Sequence, residues 1–163
     1  MKKNKNLKVA IVMGSQSDFK TMKLSANILK KMGVRFETKI ISAHRTPKRM
    51  YEFAENASRN NIGVIIAGAG GSAHLPGMMA SHTHIPVIGV PIESTSLNGI
   101  DSLLSIVQMP KGIPVATVSI GKTGAKNAAI LAAEILSLQD EEIRKKISSW
   151  KISMTNNVPY KPE

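Results

Sequence analysis

The chain has 163 residues, of which 42% are hydrophobic and 20% charged, and it contains no cysteine. This length fits one domain spanning residues 1–163, and the missing cysteines exclude disulfide bonds and thiolate metal sites. No apolar run approaches the roughly 20 residues that cross a bilayer, and the basic start lacks the long apolar core of a signal peptide. We therefore expect a cytoplasmic protein with no membrane partner.

The net charge is strongly positive, at +11 from 22 basic and 11 acidic residues. Such an excess raises nucleic-acid binding as a function. The basic residues are instead concentrated at the start of the chain and scattered over predicted helices, without interleaved aromatic residues for base stacking. We expect a solvated basic surface and no nucleic-acid partner. A milder functional alternative is a positive field that concentrates an anionic small substrate.

Five continuous apolar runs, rich in β-branched residues, are typical of strands buried on both faces, and they span residues 8–13, 35–41, 63–67, 86–90 and 114–120. Helical segments separate them, over residues 18–32, 47–60, 73–81, 99–107 and 123–137. The alternation predicts an α/β fold over residues 8–138, with a parallel five-stranded sheet and helices on both faces.

An extra helix is predicted at the C-terminal end, over residues 141–154, with apolar positions at Ile143, Ile147, Trp150 and Met154. The spacing fits packing on the core of the same chain or on a neighbouring subunit equally well. Residues 155–163 are polar and contain proline, which predicts a loose tail.

Polar loops follow the first three predicted strands, and ligands of open α/β sheets bind at this edge. The first loop, residues 14–18 (GSQSD), lacks the lysine of a P-loop and the spacing of a dinucleotide fingerprint. Its serine hydroxyls and helix amides suit a monophosphate, whereas Asp18 suits a ribose diol. Helix capping by Ser17 or Asp18 is the alternative.

The second loop, residues 42–47 (SAHRTP), places His44 beside Arg45 at a strand end, with Thr46 as the expected helix cap. The arginine fork matches phosphate oxygens, and the imidazole can transfer protons. A loop histidine without chemistry is the alternative. The third loop, residues 68–74 (GAGGSAH), has paired glycines that allow either close approach to a flat ligand or simply a tight turn.

Metal binding is not expected. His82 and His84 have a spacing that can chelate, but no carboxylate lies near them in sequence. Met109 and Pro110, after a predicted helix end, either line a pocket or fill the core.

Together these loops, with residues 67–78, 89–91 and 101–110, make the chain resemble the PurE family from about residue 8 to residue 150. The resemblance implies a three-layer flavodoxin-like sandwich, a homo-octamer and no cofactor. Its class I members move a carboxylate from the exocyclic nitrogen of an aminoimidazole ribonucleotide to C4 of the ring, in purine biosynthesis. The implied partner is therefore a small ribonucleotide substrate.

Carried over to this sequence, the resemblance makes His44 the general acid and base. It assigns nucleotide contacts to Ser15, Asp18 and Arg45, and the rest of the pocket to Ser17, Ser42, Gly70, Gly71 and His74. Two alternatives stay open. A direct carboxylase would add free carbon dioxide, although residues 105–110 resemble the mutase class, and a non-enzymatic nucleotide-binding or receiver-like module would not require His44 beside Arg45.

Overall fold

The computed structural model describes residues 7–162. It contains one parallel sheet in the order β2-β1-β3-β4-β5, whose strands are β1 Lys8–Met13, β2 Phe36–Ile40, β3 Ile62–Gly70, β4 Val87–Ile92 and β5 Ala116–Thr117. This order reverses direction between β1 and β3, which creates the crevice where ligands of such sheets bind. The predicted five-stranded parallel sheet is confirmed.

Helices cover both faces of the sheet, as predicted. A 3₁₀ turn, Gln16–Asp18, precedes six α-helices: α1 Phe19–Lys31, α2 Pro47–Asn56, α3 Leu75–Ser81, α4 Ile100–Val107, α5 Gly121–Ser137 and α6 Glu141–Asn156. One core joins the sheet to α1, α5 and α6, and a second core joins it to α2, α3 and α4. The molecule is thus a three-layer sandwich with the sheet in the middle.

Strand β1 shows why the apolar runs are continuous. Val9 and Ile11 enter one core, Ala10 and Val12 enter the other, and all four are 0% exposed. The prediction of burial on both faces is wrong for β2, because this strand lies at the sheet edge and exposes residues 38–40. Lys39 and Ile40 therefore face solvent.

The fifth strand is much shorter than predicted. Only Ala116 and Thr117 pair with β4, and they form the edge of the described sheet. Pro114 has no N–H for a ladder. The chain then enters α5 at Gly121, whose φ of +71° suits glycine, two residues before the predicted helix start.

Two helix starts also differ from prediction. The first helix begins as a 3₁₀ turn capped by Ser15, whose hydroxyl accepts a hydrogen bond from the Ser17 amide, while Asp18 accepts one from the Ser15 amide. Thr46 does not cap α2 with its side chain. Its hydroxyl instead donates to the Ser42 carbonyl and accepts from the Ser42 amide, so it closes the loop before the helix.

The C-terminal helix packs on the core of its own chain, which decides between the two alternatives for most of its length. Ile143 and Ile147 are buried beside α5, and Trp150 packs against the same core. Met154 is 51% exposed and does not take part. The helix continues through Asn156, and residues 157–162 are exposed. Along residues 7–162, no helix combines the length and apolarity that crossing a membrane requires.

Candidate active site

A pocket of about 450 Å³ lies at the carboxyl ends of β1, β2, β3 and β4. Its lining includes all nine residues that the sequence predicts for the site: Ser15, Ser17, Asp18, Ser42, His44, Arg45, Gly70, Gly71 and His74. Residues that are up to 59 positions apart in the chain therefore meet at one edge of the sheet. The fold brings the three predicted loops together because parallel strands end on the same side.

The histidine of the second loop faces a histidine of the third. His44 Nε2 lies 2.8 Å from His74 Nδ1, and the two rings meet edge to face with their centroids 4.9 Å apart. One of the two nitrogens must carry the proton of this hydrogen bond, so the tautomers of the rings are coupled. The pair can therefore hold a proton at the pocket wall and pass it to a bound molecule.

Arg45 reaches across the mouth of the pocket to the first loop. Its guanidinium donates to the Gly14 carbonyl oxygen at 2.7 Å, and its Nε and backbone amide both lie within hydrogen-bond distance of Ser42 Oγ. Among the described residues Arg45 forms no ion pair. Its charge is held in place by neutral oxygens and stays available to an anion.

The first loop contributes the Asp18 carboxylate to the pocket, which also contains Glu93. Burial raises the pKa of Asp18, and hydrogen bonds from Ser17 and Ser15 together with the charge of Arg45 oppose that rise. The Ser15 and Ser17 hydroxyls lie 2.9 Å apart. The capping alternative holds for Asp18, which accepts from the Ser15 amide, and is wrong for Ser17, because the N-cap is Ser15. All three side chains line the pocket.

The paired glycines play different structural roles. Gly71 has φ of +68° and therefore needs glycine for its turn, whereas a Cβ on Gly70 would make only ordinary contact with Ile92 at 3.6 Å. The tight turn is thus established for Gly71. Its amide donates to the hydroxyl of Ser102 in α4, 2.9 Å away, which ties the loop to the helix behind it.

The family model described as AIR carboxylase matches residues 8–157. The chain belongs to the AIR carboxylase family. It is 52% identical to an N5-carboxyaminoimidazole ribonucleotide mutase of Escherichia coli strain K12, over 99% of this chain and 95% of the relative. It is 61% identical to the Bacillus subtilis protein of the same name, over 85% and 86% of the two chains.

Among solved structures, the Treponema denticola PurE is similar at a TM-score of 0.83 and 32% identity, with 93% of each chain covered. The AIR carboxylase fold of this chain therefore agrees with the PurE resemblance of its motifs.

Sequence reasoning missed one wall of the pocket in this AIR carboxylase family member. Glu93, Ser94 and Thr95 follow β4 and line the pocket. Because β4 is adjacent to β3, its carboxyl end lies at the same edge, and the apolar run before Glu93 was the available signal.

The other sequence candidates lie outside the pocket. The His82 ring packs against the Tyr51 ring with centroids 4.3 Å apart, and His84 is exposed nearby. Within residues 7–162, no three His, Asp or Glu side chains are grouped so that they could hold a metal ion. Met109 lies over Gly77 in α3, where a Cβ would come within 2.9 Å of its sulfur, so it packs against that helix.

Proposed function

We propose that this chain is an N5-carboxyaminoimidazole ribonucleotide mutase of purine biosynthesis, an isomerase that moves a carboxylate from the exocyclic nitrogen to C4 of the imidazole. The main support is the sequence identity of 52% to 61% between this chain and proteins of this name, over most of their length. The pocket supplies what that reaction needs, a coupled proton carrier beside an unpaired cation. The non-enzymatic alternative has no place in this family assignment.

The substrate is an anionic ribonucleotide, and the pocket's charges suggest how it binds. Arg45 takes the phosphate, helped by the hydroxyls of Ser15 and Ser17, because its fork matches phosphate oxygens and it forms no ion pair within the described residues. Asp18 accepts from the ribose hydroxyls. The aminoimidazole then lies toward His44 and His74, over the backbone of Gly70 and Gly71.

The proposed reaction is balanced in protons. His44 donates a proton to the carbamate nitrogen, the C–N bond breaks, and carbon dioxide and the neutral amine remain in the pocket. The enamine-like C4 attacks carbon dioxide and forms the C–C bond. His44 then takes the proton from C4, which restores the aromatic ring and regenerates the imidazolium. His74 holds the His44 ring through the 2.8 Å contact between them. No step uses a metal or an organic cofactor.

The assembly is proposed to be a homo-octamer in the cytoplasm. The support for association is the outer face of α4 and the loop before it, where Leu97, Ile100, Leu104 and Val107 are 47% to 58% exposed. A contiguous apolar surface of this kind marks a protein interface more often than open solvent. One domain, residues 1–163, forms each subunit.

The test separates a mutase from a carboxylase that draws on free carbon dioxide. Purified protein is given the carbamate substrate in buffer with ¹³C-bicarbonate, quenched within one turnover and analysed by mass spectrometry. We expect product with unlabelled carboxylate, because the transferred group stays in the pocket. Product labelled to the level of the buffer would overturn the mutase and establish the carboxylase.

A further inference from the structure

Helix α4 contributes no residue to the pocket lining, yet it forms hydrogen bonds to the loop that precedes His74. Ser102 is one of three buried polar side chains in the described chain and is 0% exposed. Its hydroxyl donates to the Ile92 carbonyl at 2.7 Å and accepts from the Gly71 amide at 2.9 Å. A single buried hydroxyl thus joins the end of β4 to the turn that follows β3.

The same peptide region is held a second time, one turn farther along α4. Ser105 Oγ lies 3.2 Å from the Gly71 carbonyl oxygen and 2.7 Å from the Asp101 carbonyl oxygen. Gly71 is therefore held at its N–H by Ser102, and the single hydroxyl hydrogen of Ser105, shared between two carbonyl oxygens, makes the longer of its two contacts with the Gly71 C=O. Residues three apart lie on the same face of a helix, which is why both reach the same glycine.

Asp101 of α4 forms a hydrogen bond to the loop that follows β4. Asp101 Oδ1 accepts from the Ser94 hydroxyl at 2.7 Å and from the Ser102 amide at 2.9 Å. Ser94 Oγ in turn lies within 3.3 Å of the backbone amides of Leu97 and Gly99. Helix α4 consequently sets the relative positions of two pocket walls, the turn after β3 and the loop after β4.

The turn after β3 determines where His74 lies. Only two residues separate Gly71 from His74, and one of them, Ala73, is 1% exposed in the core. The His74 amide donates to the Ser72 carbonyl at 2.8 Å, so the segment has little freedom of its own. Its position is transmitted to the 2.8 Å contact with His44.

We propose that Ser102 is a positioning residue that keeps His74 in register with His44 by clamping the Gly71 peptide, and that Ser105 reinforces the clamp. This inference rests on the proposed function for its kinetic consequence. Its structural consequence, the geometry of the histidine pair, is independent of any activity. A displacement of about 1 Å in reacting groups can cost on the order of 100-fold in rate.

Ser102→Ala is the principal variant, and Ser25→Ala is its matched control. Ser25 is also 0% exposed and donates to a backbone carbonyl, Ala125 at 2.6 Å, but it lies between α1 and α5, away from the pocket. Both substitutions remove a buried hydroxyl and should lower the melting temperature. Only Ser102→Ala should reduce kcat, by roughly 10- to 100-fold with a small change in KM, because the proposed phosphate contacts are untouched.

The second readout is the imidazole ¹⁵N spectrum of the substrate-free protein, which has only four histidines. We expect the His44 and His74 signals to shift in Ser102→Ala and to stay in place in Ser25→Ala. Equal kcat values for the two variants, with unshifted histidine signals, would overturn the proposed positioning role of Ser102. A wild-type protein without mutase turnover would contradict the proposed function alone, since the spectra still test the clamp.

Ser105→Ala keeps the proposal testable if Ser102→Ala does not fold. Ser105 is exposed, so its loss leaves the core intact. It should shift the same two histidine signals and reduce kcat less than Ser102→Ala does. Unchanged signals and unchanged kcat in a folded Ser105→Ala, where Ser102→Ala cannot be prepared, would overturn the inference.

Discussion

The partly buried carboxylates at the two ends of strands β1 and β2 have pKa values shifted in opposite directions. Near their amino ends, Glu37 lies 2.6 Å from Lys8 Nζ and 3.5 Å from Lys39 Nζ. Burial alone would raise the pKa of Glu37, but the hydrogen bonds and charges of the two lysines hold it below the ordinary value. At the carboxyl ends, burial raises the pKa of Asp18, and Arg45 compensates only in part.

This difference separates a carboxylate in a salt-bridge network from one in the candidate pocket. Glu37 has two cations and completes a local network, whereas Asp18 and Arg45 share a pocket without forming an ion pair. Arg45 is instead held by the Gly14 carbonyl. A group in a cleft whose pKa is perturbed by burial and a nearby charge is a candidate for a functional site.

The sharpest test of the carboxyl end is to substitute its proposed proton carrier. His44→Asn should reduce turnover by about 10²- to 10⁴-fold, the usual loss for a general acid or base, while nucleotide affinity stays close to wild type. Steady-state kinetics and calorimetric titration measure the two effects. His84→Asn, at an exposed histidine outside this pocket, is the control and should be fully active. Normal turnover in His44→Asn would remove this residue from the mechanism.

A smaller effect, on nucleotide affinity, is expected from replacing the guanidinium of Arg45. Arg45→Lys keeps the charge and loses the two-pronged geometry, so nucleotide binding should weaken by about 1–3 kcal/mol. The corresponding nucleoside, which lacks the phosphate, should bind both proteins equally. Arg49→Lys in α2 provides the control, because Arg49 lies outside the pocket and, among residues 7–162, donates only to the Ile40 carbonyl. If nucleoside and nucleotide lose affinity alike in Arg45→Lys, the phosphate anchor lies elsewhere.

The smallest expected effect is on the pH dependence of folding stability, which tests the opposite pKa shifts of Asp18 and Glu37. Asp18 has a raised pKa, so its ionisation destabilises the fold increasingly as pH rises from its unfolded to its folded pKa. Glu37 has a lowered pKa, so its stabilisation is complete above its unfolded pKa and is lost as pH falls through its folded pKa. Asp18→Asn should therefore become more favourable with rising pH, and Glu37→Gln less favourable.

Urea unfolding at several pH values and one protein concentration measures both variants against wild type. The cost of Glu37→Gln at neutral pH should not exceed about 1 kcal/mol, because the pair is partly exposed. Slopes of the same sign for the two variants would contradict the contrast between the two strand ends.

Most of the fold could be predicted from the sequence, because burial on both faces leaves a continuous apolar run that is visible residue by residue. Val9 to Val12 show this directly, being 0% exposed. The exceptions are at the sheet edges. The β2 run contains apolar residues that face solvent, and the run predicted for residues 114–120 forms only a two-residue strand, since neither local pattern reveals which strand has a neighbour.

The candidate site divides in the same way. The sequence by itself indicated which loops line the pocket, since His44, Arg45 and the glycine turn are recognisable from residue types next to strand ends. Only the tertiary structure decided that His44 meets His74 and that Glu93 joins the pocket. It also placed Ser102 of α4 behind Gly71, 31 residues away in the chain. Local propensity acts over a few residues, whereas these contacts depend on strand order, which the packing of the whole sheet selects.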